Sequence, residues 1–181
     1  MSRALLRHPA SPCAAIERIE AEVVRSAGTL LLTFTAHGDI ASVSWPESRP
    51  PTREDGLWKH TCFEAFVQAP PASAYCELNL SPSSQWAAYR FDAYRQGMAP
   101  LSGATPPRIE TLVEPRRYQL RAAIDLDAAA WPPGAWRLGL SAVIEEAGGA
   151  LSYWALAHPS AKPDFHNPAG FVYEAAAAEI S

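Results

Sequence analysis

The sequence predicts an all-β fold: an antiparallel β-sandwich of jelly-roll-like order, formed by residues 1–181 as one domain. Three observations point there. Short β-prone apolar runs recur along the chain at roughly 8–12-residue spacing. Turn signals separate them, drawn from 17 prolines and 10 glycines. Helical patterns are few, and each is short or stopped by proline.

The elements follow in order. Ile16–Val24 reads as a strand, with Ile16, Val23 and Val24 apolar among charges. Thr29–Ala36 (TLLLTFTA) is strongly β-prone and is bounded by Gly28 and His37-Gly38-Asp39. Ile40–Trp45 is expected as a third strand, followed by the polar loop Pro46–Gly56. Three central runs come next: Thr61–Gln68 (TCFEAFVQ), Tyr75–Leu80 (YCELNL) and Gln85–Asp92 (QWAAYRFD). Pro70-Pro71 separates the first two, and Ser81-Pro82-Ser83-Ser84 the second pair. Further strands are expected at Arg108–Glu114, Tyr118–Ile124, Ala135–Val143, Leu151–Ala155 and Gly170–Tyr173. Asp125–Ala130 has the composition of one helical turn, which Trp131-Pro132-Pro133 would stop, and the tail YEAAAAEIS has high helix propensity.

Composition narrows the function classes. Hydrophobic residues make up 48% and charged residues 19%, so the chain can bury a core. A net charge of −4 argues against a nucleic-acid-binding domain, which carries a basic excess. No apolar run reaches the ~18 residues of a membrane span. In the opening MSRALLRHPASP, Arg7 and His8 break the apolar run Ala4-Leu5-Leu6, short of the ~7–15 residues a secretory signal needs. Cys13, Cys62 and Cys76 show no CxxC spacing, which fits a reducing compartment. The expectation is a cytoplasmic protein without cofactor or metal.

Alternation places side chains on faces. Phe63, Ala65 and Val67 form one set in the first central run, with His60, Cys62, Glu64 and Phe66 opposite. Cys76, Leu78 and Leu80 form one set in the second, with Tyr75, Glu77 and Asn79 opposite. In the third, Ala87, Tyr89 and Phe91 are assigned to the core, leaving Trp86, Ala88 and Arg90 opposite. One surface then carries Glu64, Tyr75, Glu77, Asn79, Trp86 and Arg90. Strands lie ~4.8 Å apart, close enough for such groups to converge on a small ligand. Aromatic rings beside hydrogen-bonding groups suit a sugar, whose C–H faces pack on the ring while its hydroxyls meet carboxylate and amide. Trp58 and Trp86 are the expected stacking platforms, and Arg90 the orienting cation. The plain alternative is a solvated sheet face, with Glu64 or Glu77 pairing Arg90 for ~0.2–1 kcal/mol.

Other residues extend the candidate set. His60 precedes the first central run on the Glu64 side. The late loop holds His158, Lys162, Asp164 and His166 among Pro159, Pro163 and Pro168. It reads as a rigid pocket wall, with Lys162 and His166 reaching a ligand; its spacing matches no standard metal site. Glu64 and Glu77 also fit the acid and base of a sugar-acting enzyme, where carboxyls stand ~5–5.5 or ~6.5–9.5 Å apart. Met98 with a histidine is the pattern of haem ligation. Exposed strand edges or proline-rich loops are the pattern of a protein-interaction module.

These residues also carry a family resemblance. The runs LWKHTCFEAFV (Leu57–Val67), YCELNLSPSSQWAAYRFDAYRQGM (Tyr75–Met98) and SYWALAHPSAKPDFH (Ser152–His166) resemble bacterial DOMON-like proteins. More distantly the pattern is similar to family-nine carbohydrate-binding modules, which implies a jelly-roll-like sandwich that binds sugars or haem. In that resemblance Phe63-Glu64 falls on a strand with an acidic residue, and Glu77–Asn79 on the next. No GxGxxG follows any strand, so no dinucleotide chemistry is carried over. The leading expectation is non-catalytic binding of a small, carbohydrate-like ligand.

Overall fold

The computed structural model describes residues 2–177. It is built from twelve strands and three 3₁₀ turns, and no α-helix occurs among the described residues. The strands are β1 (Arg3–Arg7), β2 (Ile16–Arg25), β3 (Thr29–Gly38), β4 (Cys62–Gln68), β5 (Tyr75–Leu80) and β6 (Trp86–Phe91). They continue with β7 (Ala99–Pro100), β8 (Arg108–Glu114), β9 (Arg117–Asp125), β10 (Trp136–Glu145), β11 (Leu151–Ala155) and β12 (Tyr173–Ala175).

All named strand pairs are antiparallel, in the order β7-β6-β5-β4-β10-β11-β1-β2-β3-β9-β8, with β12 beside the start of β10. The sheet curls on itself at β1. Residues Arg3–Leu5 pair with β2, whereas Leu6 and Arg7 pair with β11. One half of the sheet, β2, β3, β9 and β8, thereby folds over the other. Ile19, Leu30, Leu32, Phe34 and Leu120 from the first half meet Phe63, Ala65, Val67, Leu78, Leu80, Leu138 and Leu140 from the second. Each of these side chains larger than alanine contributes about 1.5–3 kcal/mol on leaving water, before conformational entropy is charged against it.

The second half is covered on both faces. Phe66, Tyr75, Ala87, Tyr89, Phe91 and Phe171 form a smaller cluster on its outer side, with Leu57 and Phe165 packed against it. That cover explains why every residue of β4 and β5 is buried, polar ones included. It is made by the 3₁₀ turn Leu57–Lys59, the turn after β6, and the long segment between β11 and β12. Gly139 on β10 makes room for it: a Cβ there would stand 2.6 Å from the Phe171 ring.

Several expected elements differ. Ile40–Trp45 is not a strand; Ile40–Ser42 forms a 3₁₀ turn and Val43 makes a single bridge to Glu146. The indole of Trp45 instead donates to Ile40 O and stacks on Tyr118 at 3.7 Å between centroids, so local and aromatic contacts outweigh strand propensity. Gly170 ends a 3₁₀ turn capped by Asn167, and the strand begins only at Tyr173. Asp125 ends β9, and residues 126–129 form bends with no helical turn. In the tail, Tyr173–Ala175 pairs with Trp136–Leu138 of β10, and residues 178–181 lie outside the described residues. β1 and β7 carried too little periodicity to be read as strands.

Candidate functional site

The site is built on the outer face of β10, β4, β5 and β6, and the strand register decides which side chains share it. One cross-strand row is Ser141, Glu64, Asn79 and Ala87. The next is Gly139, Phe66, Glu77 and Tyr89, followed by Arg137, Gln68, Tyr75 and Phe91. Glu64 and Glu77 are therefore diagonal neighbours on adjacent strands, a relation that spans about 7–8 Å between Cα atoms.

This register corrects the expected face at the third central strand. Leu80 pairs with Trp86, Leu78 with Ala88 and Cys76 with Arg90. Trp86 and Arg90 thus lie on the side away from Glu77. Trp86 is 4% exposed in the inner core, so it offers no stacking platform. Arg90 sits near the sheet edge, exposed, and pairs with Asp92. Phe91 and Tyr89 take the outer face instead.

A cavity of about 360 Å³ opens over these rows. Its polar lining comes from Glu64, Glu77, Arg95 and His166. Its apolar walls are mainly Trp58, Phe91, Val143, Tyr153 and Phe165. The volume falls at the small end of the ~300–1,000 Å³ typical of small-molecule sites. Four of the expected residues, Trp58, Glu64, Glu77 and His166, line it together. Tyr75 and Asn79 lie buried beneath and hold that lining. His60 does not reach it: its Nδ1 is 2.7 Å from Glu145 Oε2, and it lines a separate hollow with Lys59. Lys162 is exposed and outside the lining.

The two carboxyls set the electrostatics. Glu64 is 3% and Glu77 4% exposed. Asn79 Nδ2 donates to Glu77 Oε1 at 2.7 Å, and Ser141 Oγ donates to Glu64 Oε2 at 3.5 Å. Glu64 Oε1 finds no hydrogen-bond partner. Burial, then the charge of Glu77, pushes the Glu64 carboxyl well above the ordinary carboxylate range. Burial also pushes Glu77 up to about 6, against the hydrogen bond from Asn79 and the charge of Arg95. Two desolvated carboxylates so placed resist being charged together.

A relay of hydrogen bonds fixes the histidine. The Arg95 backbone N–H donates to Tyr75 Oη at 3.2 Å, which leaves the Tyr75 hydroxyl to donate to His166 Nδ1 at 2.8 Å. That pattern assigns the proton of a neutral ring to Nε2, 3.7 Å from Glu77 Oε2. Burial, with the charge of Arg95, lowers His166 to about 4, so the ring is uncharged near neutrality. Arg95 itself adopts φ +54 in the turn after β6, a left-handed conformation uncommon for a side-chain-bearing residue. Its guanidinium is held by Asp164 at 2.8 Å, and Asp164 also accepts from Tyr94 at 2.7 Å. The β6 turn and the late loop are thus tied together over the cavity.

Among the described residues, no group of three histidine, cysteine or acidic side chains is placed to hold a metal. His158 Nε2 donates to Leu6 O, 2.8 Å away, and so stands apart from Asp164 and His166. Met98 and His166 both line the cavity, but both His166 nitrogens already face Tyr75 and Glu77. Sequence reasoning missed Arg95, Tyr153 and Phe165 as lining residues. For Phe165 a signal existed, because it lies in the proline-rich loop read as a wall.

No protein-family model matches the sequence, and no curated protein matches it. Solved structures do. A candidate carbohydrate-binding protein from Bacteroides uniformis superposes with a TM-score of 0.70 at 14% identity, over 95% of this chain and 84% of that one. A family 9 carbohydrate-binding module from Caldicellulosiruptor kristjanssonii, in complex with cellotriose, superposes with a TM-score of 0.55 at 12% identity, over 91% of this chain and 76% of that one. At such identities the likeness establishes a shared fold: the curled antiparallel β-sandwich.

Proposed function

We propose that this protein binds a small carbohydrate-like ligand, without transforming it, in the cavity on the outer face of β10, β4, β5 and β6. The observation that carries the reading is the mixture in one enclosure of buried hydrogen-bonding groups and aromatic walls. Glu64 and Glu77 at the floor accept hydrogen bonds from ligand hydroxyls, Arg95 offers donors at the side, and Trp58 offers a ring at the mouth. The fold supports the same reading, since a module of this architecture is known in complex with cellotriose. Membership of the DOMON-like group and a cytoplasmic setting belong to this proposal as well.

Calorimetric titration with glucose, galactose, cellobiose and cellotriose tests it. Saturable heat with at least one of them is expected, together with about tenfold weaker binding in Trp58→Ala. Absence of binding across the panel overturns the reading.

One observation favours a second reading. Both carboxyls are held above the ordinary range, as a general acid requires. Against it, each is already tied to a protein partner, Glu77 to Asn79 and Glu64 to Ser141. Turnover of nitrophenyl glycosides that disappears in both Glu64→Gln and Glu77→Gln would favour the enzyme.

A further inference from the structure

We infer that the ligand of this cavity carries a protonated amine, seated against Glu64 and Glu77 with the aromatic walls around it. The inference rests on the sugar-binding reading above and narrows it to sugars with a free amino group.

The first support is a mismatch between acceptors and donors. The floor presents four carboxylate oxygens. Asn79 serves one at 2.7 Å, Ser141 reaches another only at 3.5 Å, and His166 Nε2 stands 3.7 Å from a third. The fourth, Glu64 Oε1, has no partner although its residue is 3% exposed and lines the cavity. A buried anion normally has an opposite charge and a full set of hydrogen bonds.

The second support is the charge census. The titratable and charged groups around the pair are Cys62 on β4, Tyr75 on β5, Tyr89 on β6, Tyr153 on β11, and Arg95, Asp164 and His166 from the covering loops. Arg95 is the lining cation, and Asp164 holds it at 2.8 Å. His166 is neutral, its Nδ1 taken by Tyr75. The protein thus leaves this acid pair, which resists carrying two charges, with no cation beside it other than Arg95, already held by Asp164. A neutral sugar hydroxyl brings one donor and no charge. An ammonium group brings three donors and the missing charge.

The third support is the walls. Trp58, Phe91, Tyr153 and Phe165 line the same enclosure. Aromatic faces attract a cation and do not attract a neutral hydroxyl in that way. Acids below and rings around form a site for an organic ammonium.

Calorimetry at pH 7.0 with glucosamine, N-acetylglucosamine and glucose tests this on the unmodified protein. Glucosamine is expected to bind at least tenfold more tightly than the other two. Equal or weaker binding of glucosamine, with glucose bound, overturns the amine while sparing the sugar reading. Cyclohexylamine and cyclohexanol make the converse comparison: preference for the amine with no sugar bound sinks the sugar reading and keeps the amine, and no binding of any of the five sinks both. In Glu64→Gln and Glu77→Gln, checked for folding by melting curves, the glucosamine preference is expected to fall to about threefold or less. A tenfold preference that persists in both folded variants overturns the assignment to these carboxyls.

Discussion

Replacing Glu77 by glutamine should change the pH dependence of stability in a way that only a buried, hard-to-ionise carboxyl produces. Burial raises Glu77 from its ordinary value of 4.5 to about 6. A folded-state value above the unfolded one means the native protein holds its proton more tightly. The resulting cost is absent below about pH 4.5, grows as pH rises, and is complete above about pH 6. Its size is about 2 kcal/mol, or about thirtyfold in the unfolding equilibrium. His166 acts in the opposite direction. Its value falls from 6.5 to about 4, so stability is lost as pH falls through that interval. In the natural protein the two slopes oppose each other between about pH 4.5 and 6. In Glu77→Gln the Glu77 slope is gone and the histidine is opposed by Glu64 alone, so the curve should rise relative to that of the natural protein as pH increases. The glutamine carbonyl can still accept from Asn79, and any misfit of its amide toward His166 is independent of pH above 6. Urea denaturation of both proteins from pH 4.5 to 8 gives the difference directly. The variant is expected to gain about 2 kcal/mol relative to the natural protein between pH 4.5 and 7.5, and more if Glu64 ionises more readily without its neighbour. A difference that stays constant with pH refutes the placement of Glu77 as a buried titrating acid.

Three further substitutions separate the two faces of the sheet. Trp58→Ala removes a ring that is 37% exposed and meets Tyr89 edge-on, so stability should fall by only about 1–2 kcal/mol while calorimetry reads about tenfold weaker ligand binding. Trp86→Ala should do the reverse, costing about 3–5 kcal/mol in urea denaturation with affinity unchanged in the folded fraction. Gly139→Ala sets a methyl group against the Phe171 ring and should cost about 1–3 kcal/mol, with displaced aromatic resonances of Phe171 and Phe66 in NMR spectra.

The strands were legible because their alternation and turns are local. Tyr75–Leu80, Arg108–Glu114 and Leu151–Ala155 begin and end where the sequence places them. The face of β6 was not legible, for a definite reason. Both of its side-chain sets contain aromatics, Trp86 in one and Tyr89 with Phe91 in the other, so the apolar-face rule gives no phase. The phase depends on the hairpin before it. A loop of Ser81–Ser84 would place Asn79 opposite Trp86. The actual loop includes Gln85, with Ser81 N–H bonded to Gln85 O, and pairs Leu80 with Trp86. One residue of loop length turns every side chain of the strand over. The carboxyl pair was legible, since β4 and β5 keep their expected phases. Arg95 and Tyr153 were not, because loop packing and strand order bring them from distant parts of the chain, and Phe165 was legible only through the proline-rich loop that carries it.

Indole N–H resonances show whether a small sugar-like ligand occupies the cavity over Glu64 and Glu77. Trp58 stands at its mouth, while Trp86 and Trp136 are buried in the inner core. In a titration of nitrogen-labelled protein with glucosamine or glucose, the Trp58 signal should shift progressively while those of Trp86 and Trp136 stay in place. A stationary Trp58 signal at saturating ligand, or a shift confined to Trp86, contradicts the account.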